Sequence, residues 1–557
     1  MATVKVGSYR REPADGNWDA IVVGSGIGGL AAAALLARYA GRRVLVLERH
    51  YTVGGYTHVF RRPGYEWDVG VHYLGDLAPG APLRAIFDVL SEGALEWAEM
   101  GPVHDRIVIG GDVFDFPKGA GNLRAMLAAR FPGEGRAIDG YFALLARVRA
   151  AQDRYFMEKA LPAPLAALLA PLLRGPFLRL ARRTTREVLE ELTQDQRLVA
   201  VLAAQCGDYG LPPSESSFAA HAIVANHYLE GGYYPVGGAS RIAETIVPAI
   251  ESAGGKVLVN AEVAEIVVEG GRAVGVRMAA DGAVLRAPLV VSDAGAINTF
   301  TRLLPAAVAT HHRLADCLRA VRPSLAHLSL YLGLDASARD LGLPRHNIWV
   351  YPDERLERHI DEAERDPDGP LPAVYISFPS AKDPDFERRH PGRATIEVIT
   401  LLSPSWFERW EGTRWKRRPG DYDAMKNRVA SRLLDALYAQ VPQVLGRIAH
   451  AELSTPLTTR HFSNHPGGAI YGLAHTPARF LERRLRPRTP IRGLFLTGQD
   501  VTLCGVAGAL MGAVLATSSI LGRNLLGALQ RDATRPAAGR RTSTPPARDE
   551  ARRTAAA

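Results

Sequence analysis

The chain has 557 residues, a formal net charge of +9, 47% hydrophobic and 22% charged residues, a composition typical of a globular enzyme. Its 54 glycines and 37 prolines follow no repeat, which excludes collagen-like and solenoid architectures. The three cysteines, Cys206, Cys317 and Cys504, have neither a CxxC nor a zinc spacing. This cysteine usage predicts a reducing compartment, no disulfide framework and no metal site.

The two ends of the chain bear on location and partners. The first residues, MATVKVGSYRREPADGNW, lack the apolar core of a signal peptide, which predicts a cytoplasmic protein. From Arg531 onward there is no aromatic or branched aliphatic residue, so 531–557 is expected to be a disordered basic tail. Its arginines are not interleaved with base-stacking aromatic residues, and nucleic acid is therefore not an expected partner.

A nucleotide-binding pattern opens the chain in DAIVVGSGIGGLAAAALLARYAGRRVLVLERH. Apolar strands are predicted at 20–23 and 44–47, joined by a glycine turn and an alanine-rich helix, which is a βαβ unit. The turn has the spacing Gly-x-Gly-x-x-Gly at Gly24, Gly26 and Gly29. These glycines permit a tight turn, close approach to a pyrophosphate and close helix packing, so a bound dinucleotide is predicted.

The residues after this unit indicate which dinucleotide is bound. Glu48 ends the second strand, 19 residues beyond the last glycine of the pattern, where a carboxylate contacts a ribose with a free 2′-hydroxyl. FAD or NAD is therefore preferred over NADP. Gly54 and Gly55 would again let backbone approach a ligand, and a hairpin is predicted at 57–60 and 65–69. This continuation favours a flavoprotein over a nicotinamide dehydrogenase.

Five further stretches are distinctive: WDVGVHYLG (67–75), GDYGLPPSESSFAAHA (207–222), YLEGGYYPVGGAS (228–240), SFPSAKDP (377–384) and LFLTGQDVTLCGVAGALMGA (494–513). With them the chain resembles the FAD-dependent superfamily of phytoene desaturases, carotenoid isomerases and retinol saturases, most closely the retinol saturase branch. The glycine pattern is common to many flavoproteins, whereas the His-Tyr pair after DVG and the SFPSAKDP stretch point more narrowly to this branch.

The resemblance implies an α/β fold in which a Rossmann-type, glutathione-reductase-like FAD-binding domain is interleaved with an α+β substrate domain on a mixed sheet. The FAD-binding domain is expected at 17–100, 231–300 and 455–530, after an N-terminal extension at 1–16. The substrate domain is expected at 101–230 and 301–454. The residues expected to hold FAD are Gly24, Ser25, Gly26, Ile27, Gly28, Gly29, Glu48, Arg49, Gly54, Gly55, Tyr56, Val263, Gly498, Asp500, Gly505, Val506 and Gly508.

The uncharged run between Asp500 and Gly522 is long enough to cross a bilayer. The resemblance assigns it instead to a buried helix that begins around Gly505 and points its N-terminus at the flavin ring, with Asp500 contacting the ribityl and pyrophosphate region. A helix N-terminus carries roughly half a positive charge, which favours the anionic reduced flavin. A helix buried between layers is therefore predicted here.

A bound flavin would supply the hydride chemistry, so the protein needs to place a double bond, exclude water and supply a proton. The resemblance places His72 and Tyr73 beside the ring, and Tyr471 in the same cavity; these are the candidate catalytic residues. For each, a purely structural role is the alternative. No second glycine pattern for NAD(P)H is found, so the electron donor or acceptor stays open.

Four functions are compatible with these residues. The preferred one is reduction or isomerisation of a double bond in an apolar polyene or isoprenoid, such as a retinoid or carotenoid, by hydride transfer at flavin N5. A carotenoid desaturase that uses oxygen or quinone is the first alternative. A non-catalytic prenyl-lipid-binding protein and an oxidase of a polar substrate are the others, and the latter requires a charged anchor in the cavity.

One apolar segment, 161–188, is interrupted by prolines and followed by arginines. It predicts either contact with an anionic membrane surface, on the inner face of the membrane, or a pair of core helices with a solvated basic end. The prolines are expected to break it; they are Pro162, Pro164, Pro171 and Pro176. The arginines are Arg174, Arg179, Arg182, Arg183 and Arg186.

Overall fold

A computed structural model describes residues 6–366, 368–402 and 404–534. The strands in this part of the chain are β1 (Gly7–Ser8), β2 (Ala20–Val23), β3 (Val44–Leu47), β4 (Val59–Arg62), β5 (Tyr65–Asp68), β6 (Trp97–Glu99), β7 (Val103–Ile109), β8 (Asp112–Pro117), β9 (Tyr233–Pro235), β10 (Lys256–Val259), β11 (Val263–Glu269), β12 (Arg272–Met278), β13 (Val284–Arg286), β14 (Val290–Ser292), β15 (Ala326–Leu334), β16 (Asn347–Tyr351), β17 (Val374–Ser377), β18 (Ala394–Leu402), β19 (Ile448–Ser454) and β20 (Leu494–Leu496).

The α-helices in the same ranges are α1 (Ile27–Ala40), α2 (Pro82–Leu90), α3 (Ala120–Arg130), α4 (Gly135–Ala160), α5 (Ala163–Ala181), α6 (Thr185–Leu192), α7 (Gln196–Ala203), α8 (Phe218–Tyr228), α9 (Arg241–Glu251), α10 (Ala296–Asn298), α11 (Ala306–His311), α12 (Leu314–Arg319), α13 (Leu356–Arg365), α14 (Pro379–Lys382), α15 (Phe386–Arg389), α16 (Gly420–Gln440), α17 (Pro456–Ser463), α18 (Pro477–Leu481), α19 (Gly505–Leu521) and α20 (Leu526–Ala533). A 3₁₀ turn at Ala204–Asp208 follows α7.

The first sheet has six parallel strands in the order β1-β10-β3-β2-β14-β20. Strands β2 and β3 are buried along their whole length, because helices cover one face of the sheet and strands β11 and β12 pack on the other. This confirms the predicted βαβ unit. The edge strand β1 comes from the segment expected to be only an N-terminal extension.

Helix α1 packs against α19 and α9 on one side of this sheet. Its alanine-rich sequence permits the close approach, since eleven of its residues, from Ile27 to Ala37, are buried. Helix α19 also contacts α4 and lies inside the protein, as predicted. By length and composition α19 passes as a membrane span only together with α20, from which it is bent by 113°.

The second sheet has seven strands in the order β19-β15-β18-β17-β16-β7-β8. It is mixed, since β16 pairs with β7 in parallel and the other pairs are antiparallel. The leucines of β15 alternate with polar residues. Leu328, Leu330 and Leu332 pack in the cluster that also contains Val429 and Leu433 of α16. The opposite face of β15 lies outside this cluster, and Tyr65 and Trp67 pack on part of it, at Tyr331 and Gly333.

Helix α5 differs from the sequence-based expectation. It is one continuous helix of 19 residues, although Pro171 and Pro176 lie inside it. A proline leaves the carbonyl four residues earlier without its helical donor. Those carbonyls belong to Ala167 and Leu172, which are exposed, so water can replace the missing donors. Helix α5 is the one described helix that alone is long and apolar enough to cross a membrane, and 28% of it is buried.

The prediction of a solvated basic end for 161–188 is also wrong in part. Arg174 is buried and donates to the Phe480 carbonyl at 3.0 Å. Arg183 and Arg186 form ion pairs with glutamates. Arg179 and Arg182 remain exposed.

The predicted start of the disordered tail, at Arg531, is too early in the chain. Arg531 lies in α20, which continues to Ala533 because Leu529 is buried against the first sheet's core. Residues 535–557, the rest of the expected tail, lie outside the described residues.

Candidate functional site

A cavity of about 950 Å³ extends from the glycine turn of the first sheet to the second sheet. Gly24, Gly26 and Gly28 line one end. His327 and Tyr331 of β15 line the other, on the face opposite the leucines. The alternating residues of one strand thus supply both the core of the second sheet and the wall of the cavity.

Two helix N-termini face the cavity without a capping side chain. Helix α1 begins after Gly26 and α19 begins after Cys504, and neither receives a side-chain hydrogen bond at its cap. A Cβ placed on Gly505 would meet no atom within 4 Å, and its φ of 74° suits glycine. Uncapped N–H groups beside open space form a site for anionic or strongly polar ligand atoms, which fits a dinucleotide.

Most of the predicted cofactor residues line this cavity. They are Gly24, Gly26, Ile27, Gly28, Glu48, Arg49, Gly54, Gly55, Tyr56, Val263, Gly498, Asp500, Gly505 and Val506. Ser25, Gly29 and Gly508 lie behind them. A Cβ on Gly29 would overlap the Gly24 carbonyl, and one on Gly508 would overlap the Leu503 carbonyl, so these two glycines permit close packing.

The two predicted acidic contacts are fixed by backbone and hydroxyl donors. Glu48 accepts hydrogen bonds from Ser25 N at 2.9 Å, Ser25 Oγ at 2.8 Å and His50 N at 2.7 Å. Asp500 accepts from Ala296 N at 2.7 Å and from Leu473 N at 2.9 Å. Both carboxylates are therefore held rigidly at the cavity wall.

Asp293 is a site residue that sequence reasoning missed. It follows β14 and faces the glycine turn, since a Cβ on Gly26 would lie 2.6 Å from its Oδ2. Burial raises the pKa of Asp293 to about 8, although a hydrogen bond from the Gly29 backbone N–H opposes the rise; the Glu48 and Asp500 charges have smaller effects in the same direction as burial. Near pH 7 its carboxyl is therefore mostly protonated, and a neutral group lies beside the expected pyrophosphate position.

Of the three candidate catalytic residues, His72 and Tyr471 line the cavity. Burial, followed by the nearby Lys382 charge, lowers the pKa of His72 to about 3. The imidazole is thus neutral near pH 7 and is a poor proton donor there. Tyr73 lies behind the wall, where its hydroxyl contacts Asp105 at 2.8 Å and Asp208 at 2.9 Å; Asp208 itself lines the cavity.

A buried polar network supports this wall, and sequence reasoning did not find it. Lys382 Nζ donates to the His72 carbonyl at 2.9 Å, to Ser377 Oγ at 2.8 Å and to Asn347 Oδ1. Burial lowers the pKa of Lys382 to about 7 and raises that of Glu397 to about 8. His72 Nδ1 lies 2.9 Å from Glu397 Oε2, without hydrogen-bond geometry.

Three residues that line the cavity also have buried polar atoms without partners. Trp349 Nε1, Tyr375 Oη and His327 Nδ1 are buried and have no hydrogen bond within the described part of the chain. The rings of Trp349 and Tyr375 lie 4.4 Å apart. Buried unpaired polar groups are costly, so these three atoms are the candidates to pair with a polar group of a ligand.

Sequence comparisons agree with this geometry. Residues 22–90 match the family model described as an NAD(P)-binding Rossmann-like domain. The chain is 40% identical over 526 residues to all-trans-retinol 13,14-reductase of Danio rerio, covering 91% of this chain and 86% of the relative. The human protein of that name is 37% identical over 525 residues, with the same coverage. Prolycopene isomerase of Arabidopsis thaliana is 26% identical over 507 residues, 88% of this chain and 80% of the relative.

Solved structures share the fold. An oxidoreductase from Methanosarcina mazei superposes with a TM-score of 0.59 at 16% identity, covering 90% of this chain and all of that one. Cyclohexylamine oxidase from Brevibacterium oxydans gives 0.58 at 17% identity, covering 93% and 100%. The fold, the glycine turn and the sequence matches define an oxidoreductase with a Rossmann-type dinucleotide-binding domain. More particularly, the chain belongs to the all-trans-retinol 13,14-reductase family.

Proposed function

We propose that the protein is an FAD-dependent oxidoreductase that saturates or isomerises a carbon–carbon double bond of an apolar polyene, a retinoid or carotenoid. The observation that carries this proposal is the continuous cavity, which joins the glycine turn to a chamber lined by aromatic residues of the second sheet. Relatives named for retinol reduction and prolycopene isomerisation support the substrate class.

The residues around the cavity have distinct tasks in this proposal. The glycine turn and the start of α1 hold the pyrophosphate, and Glu48 accepts the ribose hydroxyls. The start of α19, at Gly505, faces the flavin ring. A bound flavin supplies hydride transfer at N5. The chamber excludes water and orients the double bond, and Tyr375 and Trp349 bind a polar end of the polyene, such as a hydroxyl.

The test is anaerobic. Purified protein is expected to be yellow and to release FAD on denaturation. After photoreduction of the flavin, all-trans-retinol or a carotene is expected to have one of two effects. Either it reoxidises the flavin and gives a product with one double bond fewer, or it leaves the flavin reduced and gives an isomer. Absorbance of the flavin and mass analysis of the product measure both.

Three outcomes would contradict the proposal. Colourless protein that cannot be reconstituted with FAD would favour the non-catalytic lipid-binding alternative. Reoxidation by quinone or oxygen together with loss of hydrogen from the polyene would identify a desaturase. If a polar amine or alcohol reduces the flavin, the flavin is then reoxidised, and polyenes leave it unchanged, the protein would be the oxidase alternative.

Asp293 gives a pH prediction for cofactor binding. Its folded-state pKa of about 8 means that the carboxyl is neutral below that pH and ionised above it. Ionisation places a negative charge beside the anionic pyrophosphate, so the Kd for FAD is expected to rise above pH 8, by at most about tenfold per pH unit. Asp293→Asn, which stays neutral, is expected to show a flat profile in the same fluorescence titration of deflavinated protein. Equal slopes for both proteins would exclude this role of Asp293.

We further propose that α5 contacts an anionic membrane surface. The exposed apolar side chains of this region cluster on α5 and on its neighbours α4 and α18. Leu165, Leu168 and Leu172 are 42%, 75% and 66% exposed, and Met157 and Leu481 are each 43% exposed. Arg179 and Arg182 remain available for lipid headgroups. None of 161–188 lines the cavity, so this surface is proposed as an attachment site rather than an entrance.

Liposome sedimentation checks this attachment. Wild-type protein is expected to pellet with phosphatidylserine-containing vesicles and to be released by high salt, because the headgroup attraction is screened. Leu168→Asp with Leu172→Asp is expected to stay in the supernatant, since charged side chains replace two inserted leucines. Leu445→Asp, at a similarly exposed leucine elsewhere (67% exposed), is the matched control and should pellet like wild type. Binding of the double variant at wild-type level would rule out α5 as the attachment site.

A further inference from the structure

Two carboxyl groups share one tyrosine hydroxyl beside the cavity. Tyr73 Oη lies 2.8 Å from Asp105 Oδ2 and 2.9 Å from Asp208 Oδ2. A phenol has one proton and donates it to one acceptor at a time. Both contacts are hydrogen bonds only if one of the carboxyl groups carries a proton and donates it to the phenol oxygen. The pair therefore holds one proton more than two carboxylates would.

Asp105 has the surroundings of the ionised partner. It also accepts hydrogen bonds from Gln205 Nε2 at 2.9 Å and from Asn347 Nδ2 at 2.9 Å, and three donors stabilise a carboxylate. The Asp208 carboxyl, among the described residues, is bonded to Tyr73 alone. Burial, and then the Asp105 charge, raises the pKa of Asp208 well above its usual value. Asp208 is thus the member of the pair that is protonated.

The position of Asp208 places this acid in the reaction chamber. Asp208 ends the 3₁₀ turn Ala204–Asp208 and lines the cavity. The ring of Trp349 packs on Gly207, and a Cβ on Gly210 would lie 2.7 Å from the Tyr471 ring, so aromatic rings flank the acid on both sides. Its backbone carbonyl lies 3.6 Å from Sγ of Cys504, the residue that precedes α19. The acid therefore lies close to the helix start that faces the flavin ring in the proposed function.

We propose that Asp208 is the proton donor for reduction of the double bond. This inference rests on the proposed function. The proton of the Asp208 carboxyl would form the C–H bond at one carbon of the double bond as its O–H bond breaks. A bound reduced flavin would supply the hydride, with its two electrons, for the other carbon and would thereby be oxidised. Asp208 would be left as a carboxylate, which regains a proton from water.

Tyr73 acts as a positioning residue in this step. Before the transfer its hydroxyl donates to Asp105 and accepts from Asp208. Once Asp208 is ionised, the same hydroxyl can turn its proton toward the new carboxylate and stabilise it. Lys382, whose charge lowers the pKa of Asp208, contributes in the same direction. An acid positioned in this way typically contributes about 10²- to 10⁴-fold to a rate.

The test compares wild type, Asp208→Asn and the control Asp139→Asn, whose carboxyl is 66% exposed on α4. Because Asp293 and Glu397 are also expected to be protonated near pH 7, the readout is a difference infrared spectrum of the resting flavoenzymes. Wild type minus Asp208→Asn should contain a protonated-carboxyl C=O band that shifts in D₂O, and wild type minus Asp139→Asn should not. In a single turnover, reoxidation of the reduced flavin by all-trans-retinol should slow at least about 100-fold in Asp208→Asn, while reoxidation by oxygen stays within about twofold.

Two results would overturn the inference. One is a difference infrared spectrum, wild type minus Asp208→Asn, without a protonated-carboxyl band, and the other is retinol reoxidation within about threefold of wild type. If wild-type enzyme itself is not reoxidised by retinol, the proposed function fails, and the infrared comparison still decides whether Asp208 carries a proton. If Asp208→Asn does not fold, Tyr73→Phe is tested in its place. Loss of the hydroxyl should shift the pH profile of retinol reoxidation to higher pH, because the Asp208 carboxylate loses its hydrogen-bond donor. An unshifted profile would overturn the inference.

Discussion

Replacing Lys382 by methionine is expected to lower the apparent Tm by about 3 °C or more. Methionine keeps the length of the side chain but removes the charge and three hydrogen bonds, to His72 O, Ser377 Oγ and Asn347 Oδ1. Lys382 is 2% exposed, so water does not replace them. Leaving a buried acceptor unpaired costs about 1–3 kcal/mol, so loss of these three hydrogen bonds is expected to cost at least about 3 kcal/mol.

The measurement is differential scanning fluorimetry, with Lys256→Met as the matched control. Lys256 pairs with Glu12 at 3.0 Å, and the two side chains are 30% and 47% exposed. A surface pair of this kind contributes about 0–1 kcal/mol, so the control should melt close to wild type. Equal shifts in the two variants would mean that the buried network does not stabilise the cavity wall.

The dinucleotide half of the fold could be predicted because its signals are contiguous. The strand, turn, helix and second strand of the βαβ unit follow one another within about 30 residues, which is the usual span of such a motif. Most residues assigned to the cofactor through these local patterns line the cavity. Ser25 and Gly29 lie behind its wall for reasons that are also local, since Ser25 fixes Glu48 and Gly29 packs on its own turn.

The buried network could not be predicted, because the chain brings it together from distant segments. Tyr73, Asp105, Asp208, Lys382 and Glu397 come from five separate segments of the chain. No spacing in the sequence distinguishes an inward carboxylate from a solvated one. The stretches GDYGLPPSESSFAAHA and SFPSAKDP did contain Asp208 and Lys382, but as markers of resemblance and without a role.

Helix α5 shows a second reason why sequence-based prediction of the structure failed. Its prolines were expected to break the helix, since proline removes a hydrogen bond in a helix interior. The cost depends on whether the freed carbonyl is buried, and exposure is a tertiary property that the local sequence does not encode. Ala167 and Leu172 are exposed, and the helix continues.

Gly29→Ala is expected to reduce the flavin content of purified protein by about tenfold or more, since overpacking costs about 1–3 kcal/mol. The new Cβ would overlap the carbonyl oxygen of Gly24, which is backbone of the same turn and has no side chain that could rotate away. Relief requires α1 to move away from the end of β2, and that movement displaces the N–H groups that the phosphates need.

Gly121→Ala makes the identical change in helix α3, where a Cβ meets no atom within 4 Å. Alanine is also the better helix former, so this control should retain flavin and melt at or slightly above the wild-type temperature. The ratio of flavin to protein absorbance, with the Kd of reconstituted apoprotein, separates the two variants. Because both variants gain only one methyl group, a loss of flavin confined to Gly29→Ala would be caused by the change in the glycine turn. Full flavin retention by Gly29→Ala would mean that the dinucleotide does not depend on this glycine turn, and the assignment of the cofactor end of the cavity would have to be abandoned.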